Sequence, residues 1–144
     1  CASGQSPPNG TLRPGLMVAE DTDTTRVSET IGFIVIEAGS GSADGVLYEA
    51  ALGADTIRGY QNNAAGYLYN FDQSYGSPVL IASQAAMDGG NGGWAYIRGG
   101  VGSTSVRFNI DEDQIRDGER NHTTEQVSYL VVDGEATIEL TPAP

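Results

Sequence analysis

Apolar and polar residues alternate over short stretches along most of this chain, and clusters of Gly, Asn and Asp separate one stretch from the next. Alternation with a period of two residues is typical of β-strands, whereas no window keeps the period of an amphipathic helix. The number and spacing of these stretches predict an all-β fold, an antiparallel β-sandwich of short strands. The predicted strands are Val46–Ala51, Thr56–Tyr60, Gly66–Phe71, Val79–Ala86, Trp94–Gly99, Ser105–Ile110 and Gln126–Val132.

The sequence of the last predicted strand is repeated in similar form near the N-terminus. Residues 28–37 resemble residues 124–133 position by position: two positions are identical and most of the others keep their chemical type. Repeated units usually bury a shared face. We therefore predict an additional N-terminal β-hairpin over residues 13–39 that resembles the C-terminal one, followed by the sandwich unit over residues 40–144.

The stretch Ile31–Ile36 is apolar at odd and even positions alike, as expected of a strand that is covered on both faces. Its residues Ile31, Phe33, Val35 and Ile36 are the predicted assembly strand. The extra hairpin can pack on its own sandwich or be donated to a neighbouring molecule. The sequence leaves both arrangements open.

Residues 1–12 are predicted to be an extended linker, because Pro7-Pro8 favours polyproline II and Asn9-Gly10 favours a turn. Cys1 is the only cysteine, so an intrachain disulfide is excluded. A leading Cys before small polar residues looks like the start of a mature bacterial lipoprotein, which makes Cys1 a candidate lipid anchor. An ordinary N-terminal residue and an intermolecular disulfide are the alternatives.

The excess of acidic over basic residues makes some classes of binding partner unfavourable. The chain carries 19 acidic residues against 7 basic ones, all of them Arg, for a net charge of -12. Repulsion from phosphate makes nucleic acid and anionic lipid surfaces poor partners, while divalent cations are natural counter-ions. The plainer explanation is that an acidic surface keeps an extracellular protein soluble.

Several core segments carry a resemblance to known modules. They are Ser77–Ser83, the Gly-rich loop Met87–Trp94, Thr104–Asp113 and His122–Val131. In this order they resemble modules of large secreted or surface-attached bacterial proteins, and are more distantly similar to the H-type lectin domain. The resemblance implies a β-sandwich and a location outside the cell or on its surface. No sugar-contacting residue of the lectin family can be matched here.

An acidic cluster precedes the single histidine, His122. It consists of Asp111, Glu112, Asp113, Asp117 and Glu119. Calcium takes six to eight oxygen ligands, and a turn of this kind supplies several, so calcium is the one candidate cofactor. Arg116 and Arg120 lie within the cluster, and a solvated or Arg-paired turn is the competing interpretation.

The loop after the fourth predicted strand combines an acid, an amide and the only Trp on flexible glycines. Aromatic rings stack on sugar faces while amides and carboxylates bind hydroxyl groups. The candidate carbohydrate residues are therefore Asp88, Asn91, Trp94 and Tyr96. Packing of Trp94 within the sandwich is the alternative.

No catalytic constellation stands out. A nucleophile elbow of the Gly-x-Ser-x-Gly type is missing, and His122 has no second His or Cys near it for a zinc site. A hydrogen-bonded turn histidine is expected instead. Glu29 and Glu125 occupy equivalent repeat positions, which favours a shared structural role over a glycosidase pair.

The sequence thus predicts a non-enzymatic extracellular or cell-surface protein with a structural or adhesive role. The first hypothesis is a subunit of a head-to-tail filament built by strand addition, with copies of itself as partners. The alternative is a calcium-assisted, lectin-like carbohydrate-binding module anchored through Cys1, with glycans as partners.

Overall fold

Residues 18–134 are described in a computed structural model, and they form a β-sandwich in which no residue is helical. No helix of this part of the chain is long and apolar enough to cross a membrane. The strands are β1 (Gly39–Ala43), β2 (Val46–Leu52), β3 (Tyr67–Asn70), β4 (Pro78–Gln84), β5 (Gly93–Val101), β6 (Ser105–Glu112) and β7 (Val127–Asp133).

The strands form two antiparallel sheets. The four-stranded sheet has the order β1-β2-β7-β4, and the three-stranded sheet has the order β3-β6-β5. The strand β7 lies between β2 and β4, so its backbone is paired on both sides. These two sheets confirm the predicted all-β, antiparallel sandwich.

The core lies between the sheets and is rich in aromatic residues. Tyr129 of β7 contacts Tyr69, Phe71 and Phe108, with ring centroids 5.8–6.2 Å apart. Tyr75 packs edge-on against Phe71 at 5.5 Å. Alternate residues of β6 and β7 complete the core, because successive side chains of a strand point to opposite faces.

Most predicted strands are found within one or two residues of their expected ends. Two segments differ. The predicted strand Thr56–Tyr60 makes only isolated bridges to Glu125 and Ile110. The stretch Gly39–Ala43, which lies in none of the predicted strands of the sandwich, forms β1, and its hairpin with β2 turns at Asp44 and Gly45, both of which have positive φ. Positive φ at both central residues is the geometry of a tight hairpin turn.

The predicted N-terminal hairpin is not seen. Residues 24–37 have no regular secondary structure and pair with no strand of the described chain. An apolar strand is stable only against a partner edge or layer, and within residues 18–134 these residues are hydrogen-bonded to no strand and lie exposed. Three parts of the chain lie outside the described residues: the start of the predicted hairpin (residues 13–17), the predicted linker with Cys1, and the chain after residue 134.

Candidate functional site

The most unusual surface of the molecule is the exposed apolar segment, residues 27–36. The side chains of Phe33, Ile34 and Val35 are 66%, 82% and 78% exposed, and Ile31 and Ile36 are each more than two-fifths exposed. Soluble proteins rarely expose a run of large apolar side chains in one stretch, and such runs mark interaction sites. The predicted assembly strand therefore lies where a partner can reach it.

Both ends of this segment are attached to the sandwich. On the N-terminal side, the backbone N–H of Glu20 donates to Asp113 Oδ2 at 3.3 Å, and the Glu20 carboxylate accepts the N–H of Arg116 at 3.1 Å. On the C-terminal side, the chain enters β1 at Gly39. The exposed apolar segment is thus presented as a loop, not as a free end.

A second exposed apolar surface lies on β4, the edge strand of the four-stranded sheet. Its sequence, PVLIASQ, has no charged residue and no proline after its first position. On its outer face, Val79 and Ile81 are 47% and 62% exposed. Natural edge strands are normally protected by charge, proline, a bulge or short length. The edge of β4 has only Pro78, at its first position, and carries neither a charge nor a bulge along its seven residues.

The other sheet edges are protected. The strand β1 is built from Gly, Ser and Ala, which offer little apolar area, and β3 has only four residues. The strand β5 carries Arg98 and an irregularity between Ile97 and Val101, where Gly99 and Gly100 have positive φ. Among the described residues, β4 is the one long, flat, uncharged edge.

The core beside β4 is only partly closed. Four inward-facing residues pack against the buried core but remain half-buried. They are Leu80 and Ala82 of β4, and Ala95 and Ile97 of the adjoining β5. An added strand at β4 would cover apolar atoms on both of its faces.

A buried ionic network around His122, the second candidate site, joins the end of β6 to two loops. The His122 Nδ1 atom lies 2.9 Å from Glu112 Oε1, and Nε2 lies 2.9 Å from Glu125 Oε1. The same Glu125 oxygen accepts the backbone N–H groups of Asp88 and Gly89 at 2.9 Å. All three ionisable side chains are at most 4% exposed. An imidazolium donating to both carboxylates satisfies this geometry.

The pKa values of these groups follow from burial and pairing. Burial alone would lower the pKa of His122, but hydrogen bonds with Glu125 and Glu112 outweigh it and raise that pKa. Burial opposes ionisation of Glu125, yet the bonds from His122 and from two backbone amides hold its pKa below the usual value. Burial raises the pKa of Glu112, and the neighbouring Glu119 raises it further against the pull of His122.

This network is a cross-link between segments. It ties the end of β6, through Glu112, to the segment before β7 and to the loop after β4. The expected hydrogen-bonded histidine is present, but its two glutamate partners were not foreseen. A single histidine close to several acidic residues was the signal that the sequence offered for this network. Residue spacing alone does not show which of those carboxylates point into the protein.

We expect Gly89→Ala to weaken this cross-link. A Cβ built on Gly89 would lie 2.3 Å from His122 Cε1 and 2.4 Å from Nε2, so the imidazole must move away from its carboxylates. Overpacking of this kind costs about 1–3 kcal/mol. Gly90→Ala is the matched control, because nothing lies within 4 Å of its added Cβ. Chemical unfolding of both variants measures the effect; equal stabilities would contradict the expectation.

The predicted calcium ligands are not gathered around one point. Asp111 pairs with Arg120 at 2.6 Å, and Glu112 binds His122. The carboxylate of Asp113 accepts the N–H of Ile115, and those of Asp117 and Glu119 accept the N–H groups two residues further on. Within residues 18–134, no group of three or more candidate ligands is placed to hold a metal ion. The calcium site stays a prediction. Asp111 is paired with an arginine, as the alternative interpretation of the acidic cluster expected.

The predicted carbohydrate residues fall into two places. Trp94 and Tyr96 lie on the outer face of β5, 53% and 37% exposed, so Trp94 is not a core residue. Tyr60 packs edge-on against Tyr96, with the guanidinium groups of Arg98 and Arg120 over its ring at 4.2 and 3.9 Å. These three aromatic residues form a continuous face.

Asp88 and Asn91 belong to the loop before β5, and both are exposed. Burial of its carboxyl group raises the pKa of Asp88, with Glu125 adding to the effect. The backbone of Gly92 and Gly93 connects Asp88 and Asn91 to β5, which carries Trp94 and Tyr96 of the aromatic face. The four residues therefore share one end of the sandwich without a direct contact that joins them.

No family model matches this chain, and neither a curated protein nor a solved structure does. The resemblance to lectin-like modules consequently stays an expectation, and the function has to be argued from the surfaces described above.

Proposed function

We propose that this protein is a structural subunit that polymerises head to tail, each copy donating its exposed apolar segment as a strand to the next copy. The observation that carries the proposal is the exposure of residues 31–36, which are apolar at odd and even positions alike and unpaired within residues 18–134. A strand of this kind completes its hydrogen bonds and buries its side chains by β-augmentation.

The repeat supports the same function. The segment 28–37 resembles 124–133, and the second copy contains β7, a strand paired on both sides within the four-stranded sheet. Val127, Tyr129 and Val131 face the core and are buried, while the alternate residues face outward. Ile31, Phe33 and Val35 occupy the equivalent positions. The exposed segment thus has the side-chain pattern of an interior strand.

The expected gain in free energy is sufficient for a stable contact. Each large aliphatic or aromatic side chain contributes about 1.5–3 kcal/mol when it becomes fully buried. The exposed apolar segment carries six such residues, and β4 adds two exposed ones. The entropic cost of association reduces this sum, but a strand that also forms backbone hydrogen bonds is expected to bind tightly.

Polymerisation of the purified full chain tests the proposal. We expect length-dispersed fibres by negative-stain electron microscopy and a broad, concentration-dependent distribution in sedimentation velocity. A monomer at every concentration up to about 100 μM, where weak contacts of micromolar affinity are saturated, would contradict it. Fibres that disappear with a chelator and return with calcium would place a metal in the assembly.

A second candidate function is carbohydrate binding, favoured by the exposed aromatic residues Trp94 and Tyr96, with the half-buried Tyr60 packed against Tyr96. Tyr60 is held in place by two arginines, so part of this face is ordered before any ligand binds. An ordered aromatic platform beside polar loop residues is suited to a sugar ring.

If the aromatic face binds glycans, Trp94→Ala should reduce glycan retention by up to about tenfold, since one stacked ring is worth roughly 0.5–1.5 kcal/mol. Leu68→Ala is the matched control, because Leu68 is 49% exposed on β3 of the same sheet. A glycan array with added calcium, read for both variants and the parent chain, checks this. A flat response of the parent chain would rule this function out.

A further inference from the structure

We infer that the acceptor of the donated strand is the free edge of β4 in a second copy of this chain, which extends the four-stranded sheet to β1-β2-β7-β4-donor. This inference rests on the proposed function and names the surface that it uses. The donor is the stretch Ile31–Ile36. The acceptor is Pro78–Gln84, which forms an outer edge among the described residues.

Chain connectivity excludes the β4 edge of the same molecule. Ile36 is three residues from Gly39, where β1 begins, so its Cα lies within roughly 11 Å of that point. The position beyond β4 is four strand spacings away from β1, or roughly 19 Å. A strand that includes Ile36 therefore reaches β4 only in another molecule.

The equivalence with β7 predicts how the donor is oriented. Opposite β4, Tyr129 of β7 faces Ala82, and Val131 faces Leu80, on the core side of the sheet. On the free side of β4, Phe33 and Val35 take the place of these two residues. Their side chains then lie over the half-buried positions Ala82 and Ala95.

The outer face is complementary as well. With Phe33 and Val35 pointing inward, Ile34 and Ile36 point outward, on the same side of the sheet as Val79 and Ile81. These four side chains, all at least 44% exposed in the separate subunit, contact one another across the new strand pair. Cross-strand apolar pairs stabilise sheets by this means. The donor thus buries both of its faces, as its doubly apolar sequence requires.

The arrangement is head-to-tail by construction. The donor joins the sheet at the β1 side, and the acceptor is the opposite edge of the same sheet. Donor and acceptor are different surfaces, so every added copy exposes a fresh β4 edge. Heterologous contacts of this kind give open fibres unless the rotation closes a ring.

Disulfide trapping between two populations tests the inference. One carries Ile34→Cys, and the other carries Val79→Cys, Ile81→Cys or Ser83→Cys, in chains where Cys1→Ser removes the natural thiol. The acceptor scan covers alternative registers on the outer face. The control acceptor is Leu68→Cys on β3, since Leu68 and Val79 are 49% and 47% exposed. After mixing under mild oxidation, we expect a covalent heterodimer with at least one β4 cysteine, at several times the yield with Leu68→Cys.

The possible outcomes distinguish the inference that β4 is the acceptor from the proposed function, polymerisation by strand donation. A heterodimer of equal or greater yield with Leu68→Cys, in a chain that polymerises, overturns the β4 acceptor but leaves strand donation standing. Polymers without any β4 heterodimer also overturn the β4 acceptor. A parent chain that neither polymerises nor forms heterodimers overturns the proposed function itself. Trapping with a β4 cysteine supports both.

Discussion

Replacing Phe33 and Val35 by aspartate is expected to abolish polymerisation and to leave the folded subunit intact. Both side chains are more than 60% exposed in the separate subunit, so their substitution removes little packing there, and surface changes usually alter stability by no more than about 0.5 kcal/mol. In the assembled sheet, the same side chains face the core of the neighbour. A buried carboxylate without a partner costs several kcal/mol there.

Two such carboxylates, together with the lost apolar burial, weaken each contact by at least about a thousandfold, since each tenfold change corresponds to roughly 1.4 kcal/mol. Sedimentation velocity and electron microscopy should then show monomers where the parent chain forms fibres. Thermal unfolding of the variant should match that of the parent monomer.

Leu68→Asp is the matched control for this experiment. Leu68 is 49% exposed, but it lies on β3 of the three-stranded sheet, which does not contain β4. A control that still forms fibres shows that added charge alone is not the cause. Fibres of normal length from the Phe33→Asp, Val35→Asp variant would contradict strand donation.

The second large effect concerns stability. His122→Leu is expected to reduce the free energy of unfolding by about 3–5 kcal/mol, the usual result of breaking a buried ion pair from one side. Two glutamates would then face each other across an apolar side chain, and both would lose the hydrogen bond from the imidazole, although Glu125 keeps the backbone amides of Asp88 and Gly89. Chemical denaturation measures the change. A loss below about 1 kcal/mol, the level of an exposed pair, would mean that the network contributes little.

The same network makes stability depend on pH. The folded-state pKa of His122 is raised from 6.5, so its contribution is complete below that pH and is lost as the pH rises through the folded value. The raised pKa of Glu112 acts in the same direction, with its loss beginning above 4.5. The lowered pKa of Glu125 contributes stability above 4.5 that is lost as the pH falls through the folded value.

Unfolding should therefore be hardest in the mildly acidic range, between about pH 4.5 and 6.5, and easier on either side. His122→Leu removes the histidine part of the alkaline slope and flattens the profile above pH 6.5. Denaturation curves of both proteins across this range check the prediction. A parent profile that rises steadily towards pH 8 would show that His122 is not charged in the folded state.

The strands themselves were predictable from the sequence because they depend on local pattern. Two-residue alternation and clusters of turn residues identified β2 to β7 to within a few residues. The hairpin at Asp44 and Gly45 was missed because a Gly/Ser-rich stretch has no apolar pattern to read. Its strand β1 forms only because β2 offers a paired edge.

For the candidate sites, the sequence by itself determined that residues 31–36 need cover on both faces and that residues 124–133 repeat the same pattern, whereas the pairing of β7 on both sides came from the structure. Only the tertiary structure decided that the N-terminal copy is left unpaired among residues 18–134 and that β4 is an unprotected edge. The same holds for Glu112 and Glu125 closing on His122. The physical reason is that strand order and long-range pairing depend on which edges meet in space, whereas side-chain pattern within one strand records only which of its faces must be buried.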